Sequence, residues 1–242
     1  MDLIKNNLKQ ILKLPTTYSE ELAEETGIHI GDGGMGFHIS KGKHNWHYTY
    51  CCHNIDDKEY CKYVKRLIKK LYNLDPINDK KRNSNTKILR YTRKNLVLYK
   101  MELGLPLGPK DNIRIPEWIF KNKKFKIACI RGIFDTDGSV MLQKKYKKIP
   151  YYPHLKITSK SKAMILQIQE IFDEFGIKSS LSMNKRTLPR SPNDIWNVEI
   201  YGSSNFNKYV KKIGFSNPKH LKKDIIWKKI YAGAETFKKL CF

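Results

Sequence analysis

The nine residues Ile130-Arg131-Gly132-Ile133-Phe134-Asp135-Thr136-Asp137-Gly138, and the nine beginning 105 positions earlier, Glu25-Thr26-Gly27-Ile28-His29-Ile30-Gly31-Asp32-Gly33, decide how this chain is read. Each closes a helical pattern with an Asp-Gly pair. Gly132 and Thr136 stand one helical turn apart, as do Gly27 and Gly31, and small residues at that spacing let two helix backbones approach closely. If the two helices pack side by side and parallel, Asp32 and Asp137 meet at their C-terminal ends.

Working outward, the same order of elements follows each nonapeptide. Before the first, Leu3, Ile4, Leu8, Ile11 and Leu12 space a helix over 2–13 that Pro15 ends. Thr17 and Glu20 then stand in capping-box spacing before Leu22, Ala23 and Ile28, with Gly33 and Gly34 as the stop. Alternation through Phe37, Ile39, Trp46, Tyr48 and Tyr50 about a Lys41-Gly42-Lys43 turn predicts a hairpin. A helix over 57–74 follows, then a polar stretch at 78–85, a strand near 87–92 and a helix over 94–103 ended by Gly104. In the second half a helix over 126–135 leads to a hairpin through Val140, Leu142, Leu155 and Ile157. A helix over 162–175 closed by Gly176, strands near 179–184 and 196–201, and a helix over 205–213 complete the series. Tyr91, Asn95, Leu103, Gly104 and Leu105 match Tyr201, Asn205, Ile213, Gly214 and Phe215 at one constant offset of 110. The economical reading is an α+β fold of two pseudo-symmetric αββαββα halves, 1–113 and 126–242, joined through 114–125. The lysine-rich tail over 219–239 reads as an amphipathic helix that packs through Ile225, Ile226, Trp227 and Ile230.

The 242 residues carry 47 Lys and Arg against 23 Asp and Glu, a net charge of +24. Such an excess on a folded chain is self-repulsive unless a polyanion neutralises it, and nucleic acid is the expected polyanion. Charge alone would also suit a ribosomal or membrane-surface protein. A hydrophobic share of 40% excludes global disorder. No apolar run approaches the roughly 20 residues that span a bilayer, and the first seven residues lack a signal-peptide core. Five scattered cysteines make no disulfide framework, so a reducing compartment is expected.

Helix C-termini carry partial negative charge, which makes them a poor place for two mutually repelling carboxylates. A hard divalent cation resolves both problems. Mg²⁺ takes one or two carboxylates plus water and phosphate oxygens, and metal pairs so held stabilise the attacking and leaving oxygens of phosphodiester hydrolysis. The plainer alternative, that each Asp-Gly pair only ends a helix, leaves the repeat and the basic charge unexplained.

Both nonapeptides resemble the LAGLIDADG motif of the homing endonucleases, and the likeness extends over nearly the whole chain. The second copy is close; the first departs at His29 and Ile30 but keeps its final acid. The resemblance implies a β-saddle on double-stranded DNA, with the motif helices at its centre. It implies metal binding by Asp32 and Asp137 with the carbonyls of Gly31 and Thr136, and Mg²⁺ as cofactor, with Mn²⁺ or Ca²⁺ able to substitute in binding. Asp135, matching Ile30, reads as structural. The family also tends to set a basic residue beside the metal centre, which by this resemblance falls on Lys110 and Lys219; a lysine there can orient water or stabilise charge. The resemblance further turns the polar hairpin faces toward the DNA, where strands read base edges and Lys and Arg hold phosphates. In the first half these are His38, Ser40, Lys41, Lys43, His47, Thr49 and Arg82. In the second they are Met141, Gln143, Lys145, Tyr152, His154, Lys156 and Thr158, with Ser180, Ser182, Asn184 and Arg186 on the third strand.

The expectation is a monomeric, site-specific double-strand DNA endonuclease with a long site that lacks exact symmetry; the resemblance implies cutting across the minor groove to leave 3′ overhangs. The alternative is a binding member, an intron maturase or regulator that keeps the saddle and has lost cleavage. The ending Leu240-Cys241-Phe242 has no His-Asn splice junction, which favours an intron-encoded chain over an intein-embedded one. The richness in Lys, Asn and Ile points weakly to an archaeal cytoplasm or nucleoid, or to an organelle matrix. Two other signals are set aside. Gly31-Asp32-Gly33-Gly34-Met35-Gly36 satisfies a dinucleotide pattern, but a helix precedes it and a strand follows, the reverse of what a nucleotide site needs. Cys51-Cys52-His53 with Cys61 fits no common zinc spacing.

Overall fold

A computed structural model describes residues 10–40, 42–53, 55–80, 85–145, 149–185 and 194–240. The first half runs α1 (Glu20–Asp32), β1 (Gly33–Ser40), β2 (Lys43–His53), α2 (Lys58–Tyr72), β3 (Ile77–Lys80), β4 (Thr86–Tyr91) and α3 (Lys94–Glu102). After α4 (Glu117–Phe120) the series repeats as α5 (Lys123–Asp137), β5 (Gly138–Lys145), β6 (Ile149–Ser159), α6 (Lys162–Glu174), β7 (Ser180–Asn184), β8 (Ile195–Tyr201) and α7 (Ser203–Lys212), followed by α8 (Pro218–Leu240). Each half holds one four-stranded antiparallel sheet, ordered β1-β2-β4-β3 and β5-β6-β8-β7. The αββαββα repeat is therefore present in both halves.

Period-2 patterning sets each sheet's two faces. Tyr48, Tyr50, Leu89 and Tyr91 in the first, and Val140, Leu155, Ile157, Val198 and Ile200 in the second, are buried in one hydrophobic core. The helices cover this side. α1 and α5 run side by side at the molecular centre, where a Cβ on Gly27 would collide with the Cys129 carbonyl and one on Gly132 with the Glu24 carbonyl. The small-residue spacing is thus used as the sequence predicts.

Several details differ from the sequence reading. α1 is capped by Ser19, whose Oγ accepts from Leu22 N at 3.1 Å, and not by Thr17. Neither motif helix ends in a left-handed glycine. Gly33 and Gly138 have φ −83° and −87° and pass directly into strands. Glycine is needed there for close approach, because a Cβ on Gly33 would stand 2.5 Å from His29 Cα and one on Gly138 2.6 Å from Phe134 Cγ. Of the helix expected over 2–13, residues 1–9 lie outside the described residues. Residues 10–13 are not helical, and Lys13 N donates to Tyr72 O at 3.1 Å. The joining stretch 114–125 carries α4 and buries Ile115, Trp118 and Ile119, so it is part of the core. In α8 Trp227 is buried, but Ile225 and Ile226 are exposed, contrary to the expected packing face.

Candidate functional site

The close backbone packing of α1 and α5 fixes what happens at their ends. At Gly31 an added Cβ would collide with the Thr136 side chain and would stand 3.4 Å from Asp137 Cγ. The last turns are therefore in contact, and Asp32 and Asp137 share one centre. Burial raises the pKa of Asp32 to about 6, with Lys110 and Lys219 opposing and Asp57 adding to the rise. Burial followed by the Asp32 charge raises Asp137 to about 7, against the same two lysines. Each acid is thus held in a setting that disfavours its ionised form.

Both predicted lysines reach this centre, in different ways. Lys110 Nζ donates to the α1 carbonyls of His29 at 3.2 Å and Ile30 at 2.9 Å, and also to that of Gly31. It thus covers the helix C-terminus, a favourable place for a cation. Lys219 Nζ lies 2.9 Å from Asp57 Oδ1, in the other half of the molecule. Thr136 Oγ1 donates to Gly132 O and Ile133 O, both at 2.9 Å. Asp135 is buried: its carboxylate accepts from Ser216 N at 2.6 Å, and burial raises its pKa to about 8.

No group of three or more His, Cys, Asp or Glu able to hold a metal occurs among the described residues. The centre itself brings together the carboxylates of Asp32 and Asp137 at the ends of the two helices. That set is hard, all oxygen, and leaves positions for water and phosphate, which is how Mg²⁺ is held. A cation would also relieve the buried charge of the two acids, so the residues present fit such a group.

Away from the helices, the other sheet faces collect most of the predicted contact residues. In the first half the register sets Gly34 opposite Thr49, Gly36 opposite His47, His38 opposite Asn45 and Ser40 opposite Lys43. Lys41 and Arg82 lie outside the described residues. Arg90, paired with Thr49 on β4, belongs to the same face and was not foreseen, nor was Asn45. In the second half Met141 faces His154 and Gln143 faces Tyr152, with Lys145 beyond a register shift. Lys156 and Thr158 continue the face, and Ser180, Ser182 and Asn184 present it on β7. Arg186 is outside the described residues.

The second face also holds a hydrogen-bonded cluster that the sequence reading missed. Glu199 accepts from Ser182 Oγ at 3.0 Å and from the Tyr201 hydroxyl, and it lies 3.2 Å from His154 Nε2 and 3.4 Å from Lys156 Nζ. Asn197 bridges Ser182 at 3.1 Å and Thr158 at 3.0 Å. His154 is accordingly buried and stacked on Tyr201 instead of standing free. The signal was available: Asn197, Glu199 and Tyr201 alternate with Trp196, Val198 and Ile200.

Residues 124–214 match the model of a LAGLIDADG-like domain. Over 216 residues the chain is 28% identical to the replication factor C small subunit of Methanocaldococcus jannaschii; the match covers 89% of this chain and 10% of that protein. The chain thus spans about a tenth of that relative's length. Among solved structures, the homing endonuclease I-DmoI in complex with DNA and Mn is similar with TM-score 0.56 and 19% identity, covering 82% of this chain and 98% of that one. The LAGLIDADG homing endonuclease I-LtrWI bound to target DNA is similar with TM-score 0.56 and 14% identity, covering 91% and 92%. No helix among the described residues is long and apolar enough to cross a membrane. Residues 124–214 thus resemble a LAGLIDADG-like domain, and the chain as a whole has the fold of the LAGLIDADG homing endonucleases.

Proposed function

We propose that this protein is a metal-dependent, site-specific DNA endonuclease. The observation that carries the reading is the meeting of Asp32 and Asp137 at the touching ends of two backbone-packed helices, where each helix passes into the first strand of its sheet. Asp32 and Asp137 hold the divalent cations, with the carbonyls of Gly31 and Thr136 as further oxygen donors. When bound, a cation there activates water and neutralises phosphate charge. The complexes of I-DmoI with DNA and Ca, Mn or Mg support the choice of cations.

The chain's own residues do the rest. Lys110 and Lys219 orient the attacking water and offset charge developing on the phosphate. The sheet faces, from His38 to Thr49 with Arg90 and from Met141 to Thr158 with Ser180, Ser182 and Asn184, grip a long duplex. Their side chains differ between halves, so the preferred site is not an exact palindrome. The chain acts as a monomer of two halves, 1–113 and 126–242, cuts both strands and leaves 3′ overhangs. The biological setting in this reading is the homing of an intron.

The test is selection from a randomised duplex library, followed by cleavage with and without Mg²⁺. Wild type is expected to cut both strands of the selected site only with the cation. Asp32→Asn and Asp137→Asn are each expected to bind that site and to lose cleavage by at least 100-fold. Tight binding without cuts in Mg²⁺ or Mn²⁺ would replace this reading with that of a non-cleaving maturase or regulator.

A further inference from the structure

The two pseudo-symmetric lysines are held differently, and the difference traces to one residue. Asp57 stands at the N-cap of α2, a position where its type is favoured, yet its side chain makes no capping bond. Ser161, at the same place before α6, does cap: its Oγ accepts from Met164 N at 3.2 Å. Asp57 Oδ1 reaches across the half interface instead. It accepts from Lys219 Nζ at 2.9 Å and from Asn217 Nδ2 at 3.0 Å. Asn217 is itself buried and fixed, donating to Asp135 O at 3.0 Å and accepting from Lys219 N at 3.0 Å. Both ends of Lys219 are thereby tied, its backbone to Asn217 and its ammonium to Asp57. The pair borders a cleft of about 760 Å³ that Gly138 and Ser139, just beyond Asp137, also line. Asp57 and Lys219 both act on the charge of Asp32, which sets them beside the acid centre.

Among the described residues Lys110 has no carboxylate tether of this kind. Its ammonium lies against the carbonyls of His29, Ile30 and Gly31, so it covers a carbonyl that the proposed centre uses. It must move before that oxygen is free, whereas the Lys219 ammonium is already committed to Asp57. We infer that Asp57 is the positioning residue for Lys219 and that the two halves of the centre are prepared unequally, so that the strand served by Lys219 is cut faster. This rests on the nuclease reading above. A purely structural salt bridge across the interface would instead affect both strands alike.

The experiment uses the full chain with Asp57→Asn and Asp57→Ser. The serine variant offers α2 the cap that Ser161 gives α6 while it removes the carboxylate, and Asn217 Nδ2 keeps its bond to Asp135 O, so it guards against loss of folding. Two readouts are taken. In free protein, competitive acetylation with acetic anhydride, read by mass spectrometry, is expected to show Lys219 labelled at least threefold faster in both variants, with Lys110 changed less than twofold. On the selected duplex, with the two strands carrying different end labels, single-turnover nicking is expected to slow at least tenfold on the faster strand and less than twofold on the other. Asp57→Glu is expected to recover part of the lost rate. Equal slowing of both strands, an unchanged strand ratio, or unchanged Lys219 labelling would overturn the inference. Wild type that binds but nicks neither strand would overturn the nuclease reading and the strand asymmetry with it, while the labelling still decides whether Asp57 holds Lys219.

Discussion

His220 has no hydrogen-bond partner on either ring nitrogen and lies 5.2 Å from the Phe134 ring and 5.5 Å from that of Phe215. Burial, with Lys219 and Lys223 adding to it, pushes its pKa down to about 3. The unfolded chain takes up a proton near pH 6.5 that the folded chain refuses, so between these values the unfolded state binds more protons and stability falls as pH falls. His220→Phe keeps the ring contacts and removes the titration. Its stability advantage over wild type is expected to grow by about 2–3 kcal/mol between pH 7.5 and 4.5, read from urea midpoints; a constant difference would assign the acid sensitivity elsewhere. A second buried polar feature lies beneath α1. Lys100 Nζ sits 2.5 and 2.7 Å from the two carboxylate oxygens of Glu25, both side chains fully buried, while Tyr48 and Tyr72 donate to the same carboxylate at 3.0 and 2.9 Å. Lys100→Met leaves that carboxylate unpaired in the core and is expected to cost about 3–5 kcal/mol. Thermal or urea unfolding of the double variant with Glu25→Leu should show a loss well below the sum of the two single changes.

Among the elements, α1 and α5 set the most stringent constraint. Gly27→Ala or Gly132→Ala would press a methyl group into backbone of the opposite helix. Each is expected to cost about 3 kcal/mol, at the upper end for overpacking, and to lower the melting temperature more than Gly34→Ala, where the added carbon has room at 3.5 Å from Thr49 Oγ1. These helices were legible in the sequence because close packing and an abrupt turn into a strand both demand glycine at fixed spacings, and the demand recurs 105 residues later. The sheet faces were legible for a similar reason, since period-2 burial leaves a trace in Tyr48, Tyr50, Leu155 and Ile157. What failed to show was short or decided by distant contacts. β3 has four residues and a polar sequence, Ile-Asn-Asp-Lys, so only its pairing with β4 makes it a strand. Asp57 looks like an ordinary helix cap, and nothing in its neighbourhood announces that it reaches residues 160 and more positions away. The exposed Ile225 and Ile226 followed helical periodicity correctly and still missed the core, because α8 turns Trp227 and Asp224 inward instead.

The whole molecule balances a positive surface against a small, half-buried negative centre. With 47 basic and 23 acidic residues, two of those acids are nonetheless gathered where the halves meet, and burial raises them to about 6 and about 7. Their ordinary value is 3.8, so between that value and about 7 the folded state holds more protons than the unfolded one. The stability contributed by their protonated forms is complete below pH 3.8 and is lost as pH rises through the folded values. In chelator, Asp137→Asn is therefore expected to match wild type near pH 4 and to exceed it by about 2–4 kcal/mol at pH 8. A cation that binds only the folded centre acts in the opposite sense, because mass action stabilises the state that binds it. Millimolar Ca²⁺ at pH 8 should raise the wild-type melting temperature by several degrees and leave Asp137→Asn unchanged within a degree. The comparison separates this centre from nonspecific screening of the +24 surface, since raising the concentration of a monovalent salt relieves surface repulsion equally in both proteins. A Ca²⁺ shift of the same size in the variant would place the cation on the surface and remove the two aspartates from the metal-binding role.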